Sequence, residues 1–524
     1  MKFQILRVIL PVVIWFQYAI AILSDGRPHA NMAPRSPIPL EVIDDNKPVT
    51  SPNGTQLPPY SQIYQFLQPI DHNDLSLGTF HQRYWFTSEF YEPGGPIILM
   101  TPGEVAADGY TSYLTNSTLN GMIAQQQKGA TVVLEHRFFG FSNPYNNLGE
   151  GTLKYHTVQQ AIDDLVYFSQ NVQLPMPYAE NATSDRSPWI LIGGSYSGAL
   201  VSWTMVNHPG VFYAGYASSA VVQATTDFWP YFEPIRQFMP ANCSKDVQTV
   251  IEHIDSVFLN GSQEEVNELK SNFGLGEMSH LDDVAGSLRN NIWSWQSLQP
   301  NTGANSPFYQ FCDALEVRNG EVADEDGWGL DYALQAWGEY WNETYYNQLC
   351  GHSDAETCLG TYNSDSYYYA DTVIQNAARS WEWLVCNELG FFQDGPVDQP
   401  SISSSLIRPE YNERQCTYWF PETFPAAPTP QTSEINNKYG GWDVSVERLF
   451  FANGMRDPWR DATVSSDTRN SSSSSQVIAI SDGFHCSDLL ASAGQLDLSI
   501  RSLQEQALDT IANWLINYDS SWCV

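Results

Sequence analysis

Three short segments of the chain carry side chains that together could break an acyl bond. The first, Trp189-Ile-Leu-Ile-Gly-Gly-Ser195-Tyr-Ser-Gly198, is an apolar run that breaks on glycines around a serine. The second is Asn453-Gly-Met-Arg-Asp457-Pro-Trp459 and the third Gly483-Phe-His485-Cys486. A serine hydroxyl is a poor nucleophile until a base takes its proton, and it must project from a tight strand-to-helix turn for a carbonyl to reach it. Gly193 and Gly194 permit such a turn. In acyl transfer of this kind Ser195 attacks the carbonyl, His485 takes the proton and returns it to the leaving group, and Asp457 orients the imidazole.

Alternatives exist for two of the three roles. Ser195 has Gly193 two residues before it but Ser197 two after it, so the Gly-x-Ser-x-Gly form is approximate, and a Gly-Gly-Ser turn can also serve close packing alone. Ser197 is a second candidate nucleophile, although the strand would then run on through consecutive glycines, which strands disfavour. Of ten histidines only His485 lies beyond residue 353, so an order of serine, acid, histidine makes it the sole candidate base. Asp482 and Asp488 are nearer to it in sequence than Asp457, but loop neighbours are more often caps or solvated groups. An oxyanion hole is also required. The N–H of Tyr196 is one candidate donor, and the loop containing Gly103 and Glu104 is placed to give the other. No Cys-x-x-Cys pair or His/Cys cluster suggests a metal, and this chemistry calls for no cofactor.

The elements needed to position these groups can be read around them. Apolar runs at 96–100, 131–134 and 189–192, separated by stretches long enough for a helix, have the βαβ rhythm of a parallel sheet. The segment 199–206 suits a helix behind the serine turn, stopped at His208-Pro-Gly210. From 227 to 430 the pattern becomes aromatic and amphipathic, as at 333–341 and 372–383, and closes on the proline-rich 425–430. Strand-like runs return at 448–452 and 476–480, and 498–518 reads as a helix covering the sheet. The expected class is α/β, an α/β-hydrolase domain with a mostly parallel twisted sheet interrupted by a large helical insertion. Its parts are 58–226, the insertion 227–430, and 431–524.

Ahead of these, residues 1–21 have the basic start, apolar stretch and small residues of a signal peptide, and 22–57 reads as a flexible leader or propeptide. The apolar stretch is short for a membrane span. Seven Asn-x-Ser/Thr sequons, at Asn53, Asn116, Asn181, Asn242, Asn260, Asn342 and Asn470, fit an exported chain. So do eight cysteines, which suit an oxidising compartment. Cys243, Cys312, Cys350, Cys358, Cys386 and Cys416 fall in the insertion; Cys486 and Cys523 follow it. Both sets are even, so bridges can stay within each part, with Cys486 to Cys523 as one expected pair. A formal charge of −35 argues against nucleic acid or an anionic membrane as partner. Carboxylates begin to gain protons below about pH 5, so the excess of acid also fits service in an acidic medium, or simple solubility.

Several further segments resemble the Pro-X carboxypeptidase and dipeptidyl-peptidase group of serine peptidases: Phe80-His-Gln-Arg-Tyr-Trp85, Glu135-His-Arg-Phe-Phe-Gly140, Asp457-Pro-Trp459 and Gly483-Phe-His485-Cys-Ser-Asp488. The likeness is nearest to the fungal acid prolyl endopeptidases, through 101–110, 194–199 and Gly440-Gly-Trp-Asp443. It implies a secreted or vacuolar peptidase acting on the carboxyl side of proline in proline-containing peptides or proteins, as an endopeptidase or as an exopeptidase of the same group. An esterase, a lipase or a non-catalytic binding protein on the same fold are the other readings. Proline lacks an N–H and presents a compact apolar ring, so Trp459 reads as pocket lining or as core. Glu104 reads as a holder of a substrate amino terminus, as an acid in this loop is implied to do in exopeptidase relatives, or as a structural carboxylate. Arg456 and Arg460 would lower the pKa of His485 for work in acid, or form a surface ion pair.

Overall fold

The computed structural model describes residues 47–177, 179–466 and 475–518, together with Arg27, Pro37 and Ile43. The expected signal peptide, Asn470 and Cys523 lie outside the described residues. One sheet of eight strands organises the chain. Its strands are β1 (Ile63–Pro69), β2 (Thr79–Thr87), β3 (Ile97–Met100), β4 (Ala130–Leu134), β5 (Trp189–Gly194), β6 (Ala214–Ser218), β7 (Leu449–Gly454) and β8 (Gln476–Ser481). They lie side by side as β8-β7-β6-β5-β3-β4-β2-β1. The run from β4 to β8 is parallel throughout, while β2 pairs antiparallel with both β4 and β1.

The parallel strands read as unbroken apolar runs because helices cover both faces. Ile97 and Leu99 turn to one side, with helices α1 (Val158–Asn171) and α2 (Tyr196–Asn207) and the insertion. Ile98 and Met100 turn to the other, against Leu119 and Ile123 of one helix and Leu503 and Ile511 of the C-terminal helix Leu498–Ile516. The antiparallel edge escaped the sequence reading, and β1 shows why: its exposed and half-buried residues alternate, a weaker signal than a fully buried run.

Between β6 and β7 the chain leaves the sheet for a helical body closed by Cys243–Cys312, Cys350–Cys358 and Cys386–Cys416. At sequence separations of 69, 8 and 30, each contributes about 2 to 4 kcal/mol by restricting the unfolded chain. The helix expected over 372–383 begins only at Ala377, because the Asn376 side chain accepts the N–H of Arg379 as its cap. Thr372, ahead of it, instead gives its carbonyl to the N–H of Leu148. The expected bridge between Cys486 and Cys523 falls partly outside the described residues, since Cys523 is not among them. Cys486 keeps a free, fully buried thiol that packs with Tyr216 and Leu489 in the core, its Sγ 3.9 Å from the Ser218 carbonyl.

Order also begins earlier than Tyr60. Val49–Thr50 and Gln56–Leu57 form a short hairpin. The Arg27 guanidinium is buried against the insertion, donating to the Gly360 and Thr357 carbonyls, and Tyr113 donates to the Pro37 carbonyl. Of the described sequon asparagines, Asn53, Asn116, Asn181, Asn260 and Asn342 are exposed and Asn242 is half-buried. Among the described residues no helix is long and apolar enough to cross a membrane.

Candidate active site

Because β5, β7 and β8 run in the same direction, the loops that follow them open on one edge of the sheet. Ser195 follows β5, Asp457 follows β7 and His485 follows β8. Ser195 sits at φ 62°, ψ −123°, between the end of β5 and the start of α2, a conformation that costs a non-glycine residue about 1 to 3 kcal/mol. The neighbouring glycines make the turn feasible. A Cβ on Gly193 would lie 2.2 Å from the Ser197 carbonyl oxygen, and one on Gly198 would lie 2.6 Å from that of Ser218. The Ser195 N–H donates to the Ser218 carbonyl at 2.8 Å, which ties the turn to β6.

The turn aims the hydroxyl at the histidine. Ser195 Oγ is 2.8 Å from His485 Nε2, and His485 Nδ1 is 2.8 Å from Asp457 Oδ1. Asp457 Oδ1 also accepts the N–H of Trp459 at 2.9 Å, while Oδ2 is buried without a hydrogen-bond partner among the described residues. A proton on Nδ1 directed to Asp457 leaves Nε2 to accept the serine hydroxyl proton. The alternatives are occupied elsewhere. Ser197 Oγ donates to the Gly194 carbonyl at 2.8 Å and accepts its N–H at 3.0 Å, closing the turn. Asp488 accepts from Tyr216 and Ser218 hydroxyls at 2.7 and 2.8 Å, and Asp482 is exposed.

Burial works against a charged imidazole here, but the Asp457 carboxylate, helped by Cys486, outweighs it and holds the pKa of His485 well above the ordinary value. The expectation that Arg456 and Arg460 lower it is not met. Arg456 lies over the Phe484 ring at 5.5 Å and Arg460 donates to the Met455 carbonyl at 3.2 Å, so the ring responds to its acid partner instead.

The loop after β3 lies against the serine turn. Gly103 has φ +85°, and a Cβ there would be 3.3 Å from the Ser197 Cβ and 3.4 Å from Tyr196 Cδ1. Glu104 is fully buried, and its charge helps raise the pKa of the Tyr196 phenol after the larger effect of burial. Two segments singled out in the sequence hold this loop. Glu135 accepts the N–H of Ala107 at 3.0 Å and that of Arg83 Nε at 2.8 Å, and Arg83 pairs with Asp108 at 2.7 Å. His136 Nε2 lies 3.1 Å from the Tyr196 hydroxyl. Trp459 is 0 % exposed, stacked on Phe228 at 5.3 Å with Tyr231 and Phe391 edge-on at 5.4 and 5.5 Å. In this conformation it is a core residue. No cluster that could hold a metal ion occurs among the described residues.

A family model described as serine carboxypeptidase S28 matches residues 68–503. Over 504 residues, 92% of this chain and 93% of the relative, the sequence is 37% identical to a serine protease, vicPa, of Bipolaris victoriae. It is 31% identical, over 80% of this chain and 62% of the other, to a protein of Arthroderma benhamiae named "Probable extracellular serine carboxypeptidase". The human thymus-specific serine protease is 26% identical over 88% of both. An acetylester hydrolase structure from Corynebacterium glutamicum is also similar, with a TM-score of 0.32 at 10% identity, covering 85% of this chain and 95% of that one.

Proposed function

This chain belongs to the serine carboxypeptidase S28 family and is a serine peptidase, and from that premise we propose that Ser195, His485 and Asp457 are its nucleophile, base and orienting acid. The observation that carries the reading is the pair of 2.8 Å contacts from Ser195 Oγ to His485 Nε2 and from His485 Nδ1 to Asp457 Oδ1. Ser195 Oγ attacks the scissile carbonyl as its proton passes to His485 Nε2. The imidazolium so formed sits beside the Asp457 carboxylate and hands the proton to the leaving amine. Water then enters, again deprotonated by His485, and releases the acyl group from Ser195. The oxyanion donors we assign are the Tyr196 N–H and a backbone donor of the Gly103–Glu104 loop, which packs against the turn.

Cleavage after proline, by an endopeptidase of a secreted or vacuolar, acid-exposed protein, is the finer reading. Support comes from the motifs shared with prolyl peptidases and from the aromatic group around Trp459, two residues from the acid. Trp459 is sealed by Phe228 and Tyr231 in this conformation, so for it to form the rear wall of a proline pocket those rings must part as the substrate enters. The name of the Arthroderma relative favours a second reading, a carboxypeptidase. One experiment tests both: digestion of a long unstructured peptide at pH 4, read by mass spectrometry beside a Ser195→Ala control. Internal cuts after proline support the endopeptidase, stepwise loss from the carboxyl end supports the exopeptidase, and cuts that ignore proline refute both. Fluorophosphonate labelling that persists in Ser195→Ala would overturn the assignment of the nucleophile.

A further inference from the structure

The acid and the base stand on separate loops of the sheet, yet one short stretch of the insertion touches both. Helix α3 (Leu281–Trp293) runs into a 3-10 turn, Ser294–Ser297, and the chain then passes Leu298 to Gln299. From this stretch Trp295 Nε1 donates to the carbonyl of Arg456, the residue before the acid, at 2.8 Å. Its ring packs on Phe484, the residue before the histidine, at 5.3 Å. Gln296 Oε1 accepts the indole N–H of Trp459 at 2.7 Å and the Tyr231 hydroxyl at 3.1 Å. Trp459 in turn gives its backbone N–H to Asp457 Oδ1, the atom that faces His485. Gln299 Nε2 donates to the backbone carbonyl of His485 itself at 3.1 Å. The Gln299 backbone is pinned separately, its N–H to Thr302 Oγ1 and its carbonyl to the Thr302 N–H, both at 2.8 Å.

The two loops also meet directly, through backbone bonds as well as through the His485–Asp457 contact and the stacking of Arg456 on Phe484. Met455 and Arg456 give their N–H groups to the Ser481 and Gly483 carbonyls, and a Cβ on Gly454 would fall 2.3 Å from the Gly483 oxygen. Those bonds set the spacing of the loops. They leave the tilt of the imidazole and the rotation of the carboxylate to other contacts, and the insertion bonds the groups next to each: the His485 carbonyl and the indole of Trp459, whose N–H meets Asp457.

We propose that Gln296 and Gln299 are positioning residues for the peptidase reaction, through which the seating of the helical insertion aligns Asp457 and His485. Neither amide takes part in bond making; one acts through Trp459 on the acid and the other through the His485 carbonyl on the base. The insertion is therefore a component of the catalytic geometry as well as a cover over it. This rests on the triad assignment above.

The test measures turnover per functional site in Gln299→Ala, Gln296→Met and Gln296→Glu, with sites counted by fluorophosphonate titration, alongside KM and the thermal midpoint. The expected result is a 10- to 100-fold fall in kcat per titrated site for Gln299→Ala and Gln296→Met, with KM within about threefold. Gln296→Glu, which keeps an acceptor for the indole and the phenol, recovers at least part of the loss. A merely structural role would lower the number of titratable sites and the midpoint while leaving turnover per site unchanged. That outcome, or equal losses in Gln296→Met and Gln296→Glu, overturns the proposal. Should the wild-type protein fail to label at Ser195, the triad reading falls first. Gln299 is half-buried, so its variant tests the idea even where a Gln296 variant does not fold.

Discussion

Glu316 offers a direct measure of the medium for which this fold is suited. It closes the helix Pro307–Glu316, where the backbone dipole is negative, and both its carboxylate oxygens are buried without a hydrogen-bond partner among the described residues. Burial, with the nearby charge of Asp246, pushes its pKa from 4.5 up to about 8. The folded state therefore holds a proton that the unfolded chain has released. That contribution to stability is complete below about pH 4.5 and is lost as the pH climbs towards 8. At pH 5 the unfolded carboxyl is already mostly ionised, which removes somewhat under 1 kcal/mol; at pH 8 the loss exceeds 4, so the span between them is worth about 3.5 kcal/mol. Glu316→Gln cannot titrate, so whatever its midpoint at pH 5, the drop from pH 5 to pH 8 should shrink. If the helical insertion unfolds as a unit of about 200 residues, the difference in that drop is roughly 5 to 10 °C by scanning fluorimetry in matched buffers. Identical drops in wild type and Glu316→Gln would refute the reasoning, and a wild-type midpoint that rises from pH 4 to pH 8 would remove the case for acid service altogether.

Ser197→Ala should keep most of the peptidase activity while losing about 1 kcal/mol of stability, since its hydroxyl closes the turn on Gly194; loss of fluorophosphonate labelling in this variant would reopen the choice of nucleophile. Asp457→Asn should lower kcat/KM by about 10^3- to 10^4-fold. It should also move the acid limb of the pH profile downward, because the carboxylate is what holds the His485 pKa up; an unmoved limb in kcat/KM against pH counts against the pairing. Trp459→Ala should erase the preference for proline over leucine in paired peptide substrates, and an unchanged ratio of kcat/KM would reduce the indole to its packing role.

What the sequence disclosed was decided by the range over which each signal acts. The runs at 96–100, 131–134 and 189–192 are buried on both faces, so apolar character alone marked them, and the serine turn declared itself through its glycines. Ser195, Asp457 and His485 could be picked out because their order is imposed by strands whose ends share one edge. The strand β1 is half exposed and left no such mark. Gln296 and Gln299 act from a chain segment nearly two hundred residues from His485, and an amide in an amphipathic helical region carries no pattern that sets it apart. Arg456 and Arg460 misled because adjacency to Asp457 in sequence says nothing of where a long side chain goes; one lies on Phe484 and the other on the Met455 carbonyl.

The site and the body that holds it respond to pH in opposite directions. Burial raises Glu316 to about 8, Glu388 to about 7 and Asp488 to about 6, so each favours the fold more strongly in acid. Asp488 acts close to the chemistry: it accepts from the Ser218 hydroxyl, and the Ser218 carbonyl accepts the Ser195 N–H, so its proton is gained or lost at the foot of the serine turn. His485 runs the other way. Paired with Asp457 it keeps its proton in acid, and a protonated imidazole cannot take one from Ser195. Groups that favour the fold in acid thus accompany a base whose competence grows as the pH rises. Any work in an acidic medium would then depend on the substrate, since a bound peptide that excludes water from above His485 adds to the desolvation that already opposes its charge. The imidazolium is disfavoured most in the filled site, where the base is needed.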